Sequence, residues 1–205
     1  MIRGVIFDLD GTLTRPVLNF NGIRQELGFS LGPPHILDRI EALSGPARER
    51  AWTILCRHEE RACALAELNE GGAALFAFLG REAIPHGVVT RNADATTRRT
   101  LARLGIAPRP VVTRDSGLAV KPSPEPILFI CREWSLLPAE VLMVGDYQDD
   151  VFAGQSAGAR TAFLRNGAAV PAGLPADYCI GRLDELIEII AGSRTRTHSG
   201  QGEWK

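Results

Sequence analysis

Along much of this chain the apolar residues fall in short unbroken runs, not in alternation with polar ones. The first run, Ile2–Phe7, is rich in β-branched and aromatic residues and shows no clean period of two. A half-exposed strand would alternate, so this run suits a central strand covered on both faces, as in a parallel sheet. Similar runs recur at His86–Thr90, Pro110–Thr113, Glu140–Asp146, Arg160–Leu164 and Asp177–Ile180. Helical patterns lie between and after them, at Ala73–Phe78, Asp94–Leu104, Pro124–Trp134, Asp149–Ala157 and Leu183–Ile190, with Gly105 and Gly158 placed as stops. Strands that alternate with helices predict βαβ units, hence an α/β fold with a doubly wound parallel sheet.

The alternation fails once, between Pro16 and Asn69. Ile36, Leu37, Ile40 and Leu43 carry a helical period, and Ala47–Leu68 is rich in Ala, Leu, Glu and Arg, all good helix formers. Gly28, Gly32, Pro33, Pro34, Gly45 and Pro46 punctuate the stretch. Residues 16–69 are therefore expected to form a small inserted helical unit, with residues 1–15 and 70–191 as the core domain. Within the insertion, Arg57, Glu59, Glu60 and Arg61 read as a solvated helix face. Residues 192–205 are polar and mildly basic and read as a solvated tail without fixed structure.

Composition narrows the function. The chain has 205 residues, 45% of them apolar, which supports one good-sized core. A net charge of −1 gives no electrostatic case for nucleic acid or an anionic membrane as partner. No run reaches the ~18 to 20 apolar residues of a membrane span, and Asp8 and Asp10 interrupt the only early one, so no signal peptide is read. Cys56, Cys63, Cys131 and Cys179 form no CxxC pair, which suits reduced thiols in a cytoplasmic protein. Cys56 and Cys63 fall on one helix face and read as packing.

Four polar clusters follow predicted strands: Asp8, Asp10, Gly11 and Thr12; then Thr90, Arg91 and Asn92; then Lys121; then Gly145, Asp146, Asp149 and Asp150. Ligands of an open parallel sheet bind beyond its carboxyl ends, so these clusters should share one rim. Asp8, Asp146 and Asp150 offer hard oxygen donors without thiolate or imidazole, a set that suits Mg²⁺ over Zn²⁺. Lys121 adds a point charge for a phosphate. Thr90 offers a hydroxyl and a backbone N–H to phosphate oxygens, and Gly11 and Gly145 permit tight turns. Metal, lysine and hydroxyl donors around a carboxylate describe phosphoryl transfer to an aspartate.

The motifs "DLDGTL", "VVTRN", "VKPSPEP" and "VGDYQDD", in this order, resemble those of the haloacid dehalogenase superfamily, and the resemblance spans Met1 to about Ala191. It implies a Rossmann-like core in which Asp8 is the nucleophile, Asp10 the acid and base, Thr90 a phosphate ligand and Lys121 the neutralising cation. It implies Mg²⁺ held by Asp8, the Asp10 carbonyl and Asp146. Asp150, with or without Asp149, would bind through water or hold Lys121. Residues 16–69 take the place of the helical cap of phosphoglycolate phosphatase and β-phosphoglucomutase relatives. Tyr147 stands where the family commonly has Ser, and Arg91 intervenes before Asn92. Arg91 would reach a second anionic group on the substrate or pair on the surface, and Asp149 would cap a helix or join the site. Gly11, Thr12 and Asn92 complete the expected substrate loop. His35, His58 and His86 are assigned no chemistry.

The expectation is a Mg²⁺-dependent phosphatase acting on a small phosphorylated metabolite, as a monomer or homodimer. A phosphomutase is the near alternative, and a phospho-aspartate signalling module the alternative of another class.

Overall fold

The computed structural model describes residues 1–195, with side chains to residue 194. Six strands form one sheet: β1 (Gly4–Phe7), β2 (His86–Val89), β3 (Val111–Val112), β4 (Val141–Gly145), β5 (Arg160–Leu164) and β6 (Tyr178–Ile180). All pairs are parallel, in the order β3-β2-β1-β4-β5-β6. Among the described residues eight α-helices accompany them: α1 (Phe20–Glu26), α2 (Ile36–Glu41), α3 (Gly45–Leu65), α4 (Gly72–Arg81), α5 (Asp94–Leu104), α6 (Glu125–Glu133), α7 (Gln148–Ala157) and α8 (Glu185–Thr195).

The sheet explains the unbroken apolar runs. Val5 and Phe7 face a layer with Leu75, Leu79, Leu183 and Leu186 from α4, α8 and the turn before α8. Ile6, Val89 and Met143 face the opposite layer, with Ile127, Ile130 and Ala153 from α6 and α7. Both faces are dry, so no alternation survives in the sequence. Gly105 and Gly158 end α5 and α7 in the left-handed conformation, at φ of 68° and 78°, as their positions predict. Strand β3 is only two residues long because Pro110 has no N–H to give the ladder.

Residues 20–65 lie outside the sheet and supply α1, α2 and α3. Ile23, Ile36, Leu37, Ile40, Ala51 and Leu55 bury one another in a small separate core. The insertion leaves and returns at a narrow stem: Thr14 bridges Leu68, Arg15 N–H donates to the Glu67 carbonyl (3.0 Å), and Asn69 N–H donates to the Leu13 carbonyl (2.8 Å).

Three expectations need correction. Gly192–Thr195 continue α8 and are not tail, because Ser193 Oγ accepts from Ile2 N–H (2.8 Å) and ties the helix end to the sheet; residues 196–205 lie outside the described part. Glu59 is 2% exposed and is not on a solvated face. The last-but-one helix begins at Gln148, so Asp149 is not its cap: the Asp150 carboxylate accepts from Tyr147 N–H (3.1 Å) instead. No described helix is long and apolar enough to cross a membrane, and all four cysteines are free.

Candidate active site

The four polar clusters meet at the carboxyl edge of the sheet because β1, β2 and β4 are adjacent and parallel. Asp8 directly follows β1, and its N–H donates to Val144 O (2.9 Å), which holds it beside the end of β4. The chain then turns sharply through Gly11, at φ 79°. A Cβ there would lie 2.2 Å from Asp146 Oδ2, so only glycine lets the Asp146 carboxylate sit against this turn. Gly145 plays the same part for Asp150, whose Cγ would meet an added Cβ at 2.1 Å.

One carboxylate oxygen from each of Asp8, Asp146 and Asp150 lies within 4.8 Å of the others. Lys121 Nζ sits among them, 2.5 Å from Asp8 Oδ1 and 2.7 Å from Asp150 Oδ1, and is 4% exposed. Burial works against its charge, but Asp150 and Asp8 override it and hold the ammonium above its ordinary range. Burial, then the charges of Asp8 and Asp150, pushes the Asp146 carboxyl up to about 8. Burial, with Asp8 adding and Lys121 opposing, brings Asp150 to about 6. Burial and the Asp8 charge raise Asp10 to about 7, against the hydrogen bond from Asn92. A single lysine does not balance this acid cluster. Its donors are all carboxylate oxygens, which fits a hard divalent cation such as Mg²⁺.

A cavity of about 410 Å³ opens above the cluster, between the sheet edge and the insertion. Asp8, Asp10, Thr90, Arg91, Asn92, Lys121, Asp146, Asp149 and Asp150 all line it; Gly11 and Thr12 do not. Thr12 is fully buried, and its hydroxyl donates to Asp146 Oδ1 (3.2 Å), while Gly11 N–H donates to Thr14 Oγ1 (3.3 Å). These two residues therefore brace the acid cluster from beneath. Thr90 N–H is taken by the sheet through Val112 O (2.9 Å), and Thr90 Oγ1 accepts from Asn92 N–H (3.2 Å), which leaves its hydroxyl hydrogen for a ligand. Asn92 Nδ2 donates to Asp10 Oδ2.

Arg91 is neither a surface residue nor free. Its Nε donates to the Lys121 carbonyl (3.0 Å) and its Nη2 pairs with Asp149, which is 5% exposed. Asp149 also meets His35 Nε2, at 3.1 Å. His35 precedes α2, so a residue given no role in the sequence reading touches the core through Asp149. Sequence reasoning also missed Asn69 and Asn166. Asn166 Nδ2 donates to Gly11 O (2.6 Å), and Asn69 Nδ2 to Gly11 O (3.1 Å) and Asn166 Oδ1 (3.1 Å). Asn166 lies two residues past the end of β5, at the carboxyl end of that strand, a placement that could have signalled it; Asn69 carried no signal.

Known proteins resemble this chain in sequence and in fold. The haloacid dehalogenase-like hydrolase family model matches residues 38–164. A haloacid dehalogenase-like hydrolase domain-containing protein of Arabidopsis thaliana is 32% identical over 92% of this chain and 84% of its own. The N-acetylmuramic acid 6-phosphate phosphatase of Pseudomonas putida is 32% identical over 92% of this chain and 96% of its own. A hydrolase of Pseudomonas syringae has a crystal structure that superposes with a TM-score of 0.77, at 21% identity over 93% of this chain and 98% of its own. Sequence identity of this extent on a shared fold leaves one assignment: the chain belongs to the haloacid dehalogenase-like hydrolase family.

Proposed function

We propose that this hydrolase is a Mg²⁺-dependent phosphatase that cleaves phosphate monoesters of small metabolites through a phosphorylated Asp8. The observation that carries the reading is the placement of Asp8 at the cavity floor, held by Lys121 and next to an Asp10 whose carboxyl titrates near neutrality. A relative is named as a phosphatase for N-acetylmuramic acid 6-phosphate, a substrate class that a 410 Å³ cavity suits; pockets for small ligands run from ~300 to 1,000 Å³.

In the first step an Asp8 oxygen attacks phosphorus, and the bond to the ester oxygen breaks. Asp10, whose carboxyl burial and the Asp8 charge push up to about 7, gives its proton to the departing alkoxide. In the second step water attacks the phosphorus of the aspartyl phosphate, Asp10 takes the proton, and phosphate leaves as Asp8 is regenerated. Lys121 stays positive throughout and offsets charge on Asp8 and the phosphoryl oxygens. The Thr90 hydroxyl and Asn92 orient the group. Asp8, Asp146 and Asp150 would hold Mg²⁺ between them. When bound, the ion would neutralise the carboxylates and polarise the phosphoryl oxygens. Residues 16–69 would act as a cap that excludes bulk water from the cavity.

Hydrolysis of p-nitrophenyl phosphate that disappears in EDTA and returns with Mg²⁺ is the expected result. Acid-quenched Asp10→Asn protein should carry a phosphoryl mass on the Asp8 peptide. Full activity in chelator, or a phosphoryl group elsewhere, would overturn the reading.

A further inference from the structure

Four basic side chains line the cavity, and three of them are already committed. Lys121 pairs with Asp8 and Asp150. Arg91 and His35 both pair with Asp149. The fourth is Arg24, from α1 of the insertion, and among the described residues it meets no carboxylate. It donates one hydrogen bond, from Nη2 to the Gly32 carbonyl at 3.3 Å. Its Nε is buried and has no hydrogen-bond partner. The one acidic side chain that the insertion gives to the cavity wall, Glu59, is taken by Arg114.

A guanidinium N–H removed from water without an acceptor is costly, and buried donors are nearly always satisfied. The insertion also gives the cavity the buried apolar side chains of Ile36 and Leu37, and apolar lining of this kind strengthens an ion pair formed in the cavity. The planar fork of Arg matches carboxylate and phosphate oxygens. Arg24 lies on α1 of the insertion, whereas Asp8, the proposed phosphoryl acceptor, follows β1 of the sheet, and both line the same cavity. A substrate whose leaving group were a neutral alcohol would leave this charge unanswered.

We propose that the substrate carries a second anionic group, a carboxylate or a second phosphate, and that Arg24 receives it while the phosphoryl group lies against Asp8. The proposal rests on the phosphatase reading and narrows its substrate class to doubly anionic small esters. It also moves a role that the sequence suggested for Arg91 to Arg24, because Arg91 is spent on Asp149 and the Lys121 carbonyl.

Three matched pairs of esters test it with the full-length, Mg²⁺-loaded protein. They are 2-phosphoglycolate against ethyl phosphate, N-acetylmuramic acid 6-phosphate against N-acetylglucosamine 6-phosphate, and fructose 1,6-bisphosphate against fructose 6-phosphate. In at least one pair the doubly anionic member should be preferred by roughly 30- to 100-fold in kcat/KM, the scale of a charged hydrogen-bonded pair. The first two pairs report a carboxylate and the third a phosphate. Arg24→Gln should bring that ratio down to within about threefold of one, mainly through KM, and Arg24→Lys should retain part of it. If Arg24→Gln does not melt cooperatively, the wild-type ratios and Arg24→Lys still decide. Equal rates within every pair, preference for the singly anionic esters, or an unchanged ratio in a folded Arg24→Gln protein would overturn the proposal. Cleavage of p-nitrophenyl phosphate but of none of the six esters would overturn it while sparing the phosphatase reading. Failure to cleave any phosphate ester would remove both.

Discussion

Glu59 of α3 and Arg114 of the loop after β3 form an ion pair that is almost wholly withdrawn from water, with side chains 2% and 9% exposed. Arg114 Nη2 lies 3.0 Å from Glu59 Oε2, and the guanidinium also stacks 5.0 Å from the Trp52 ring. Burial pushes the Glu59 carboxyl up, and the Arg114 hydrogen bond and charge oppose it. The pair fastens the insertion to the core at a point away from the stem. Removing one partner strands the other, which typically costs about 3–5 kcal/mol. Arg114→Ala should therefore lower the melting temperature by roughly 6–20 °C. The double variant Glu59→Gln/Arg114→Met should recover a good part of that loss. A single-variant loss of only a degree or two would show that water compensates the pair.

Stability of the metal-free protein should fall as pH rises from about 4 to about 8. Asp146, Asp10 and Asp150 sit at about 8, 7 and 6 against an ordinary 3.8. Within that window the folded form binds more protons than the unfolded, so unfolding becomes easier with every unit of pH. In EDTA the melting temperature should fall steadily between pH 5 and pH 8. Added Mg²⁺ should restore most of the drop at pH 8 and little at pH 5, where protons already neutralise the carboxylates. A flat profile in EDTA would mean that the cluster relaxes apart without metal.

Asp8→Asn removes the attacking charge but keeps the shape, so turnover should fall by several orders of magnitude. Because the Asp8 charge helps raise Asp10, the same variant should also shift the Asp10 carboxyl toward its ordinary range. Carbon-detected NMR titration of the carboxyls would show it. Near-normal turnover in Asp8→Asn would remove Asp8 as nucleophile.

Asp149→Ala should act on the site without touching substrate. It frees Arg91, which holds the Lys121 carbonyl, and it cuts the link to His35. We expect kcat to fall about tenfold with a smaller change in KM, and the Arg91→Lys variant to show a milder form of the same pattern, since a lysine cannot reproduce the fork. A purely structural role would lower the melting temperature and leave kcat alone.

The sheet and the meeting of the polar clusters at its rim were legible because each rests on a local pattern. Strands covered on both faces must be apolar throughout, and Asp8, Thr90 and Asp146 follow β1, β2 and β4 directly or within a residue, where a parallel sheet brings its ends together. Glu59 was misread for a definite reason. On α3 it is one charge among Arg57, His58, Glu60 and Arg61, and nothing local tells which of them turns inward. Its partner Arg114 lies far along the chain, past two strands of the sheet. Arg24 was equally silent, since its meaning depends on what the other three basic groups are doing. Thr12 and Gly11 were placed in the right loop but on the wrong side of it, because the tight turn at Gly11 directs Thr12 under Asp146.

The position of β1 at the middle of the sheet sets an order of events for the newborn chain. β1 is the first strand to be made, yet its partners β2 and β4 come from the middle and the last third. Such distant pairings are slow to form, because loop closure must precede any reward. The helices of the insertion, by contrast, can meet through near neighbours. Asp8 and Asp10 should therefore stay solvated until Val141–Gly145 pairs with β1 and brings Asp146 beside them. If the Asp8–Asp146–Asp150 cluster holds Mg²⁺ as proposed and forms late in this way, Mg²⁺ in the medium should slow unfolding of the finished protein and leave its refolding rate nearly unchanged.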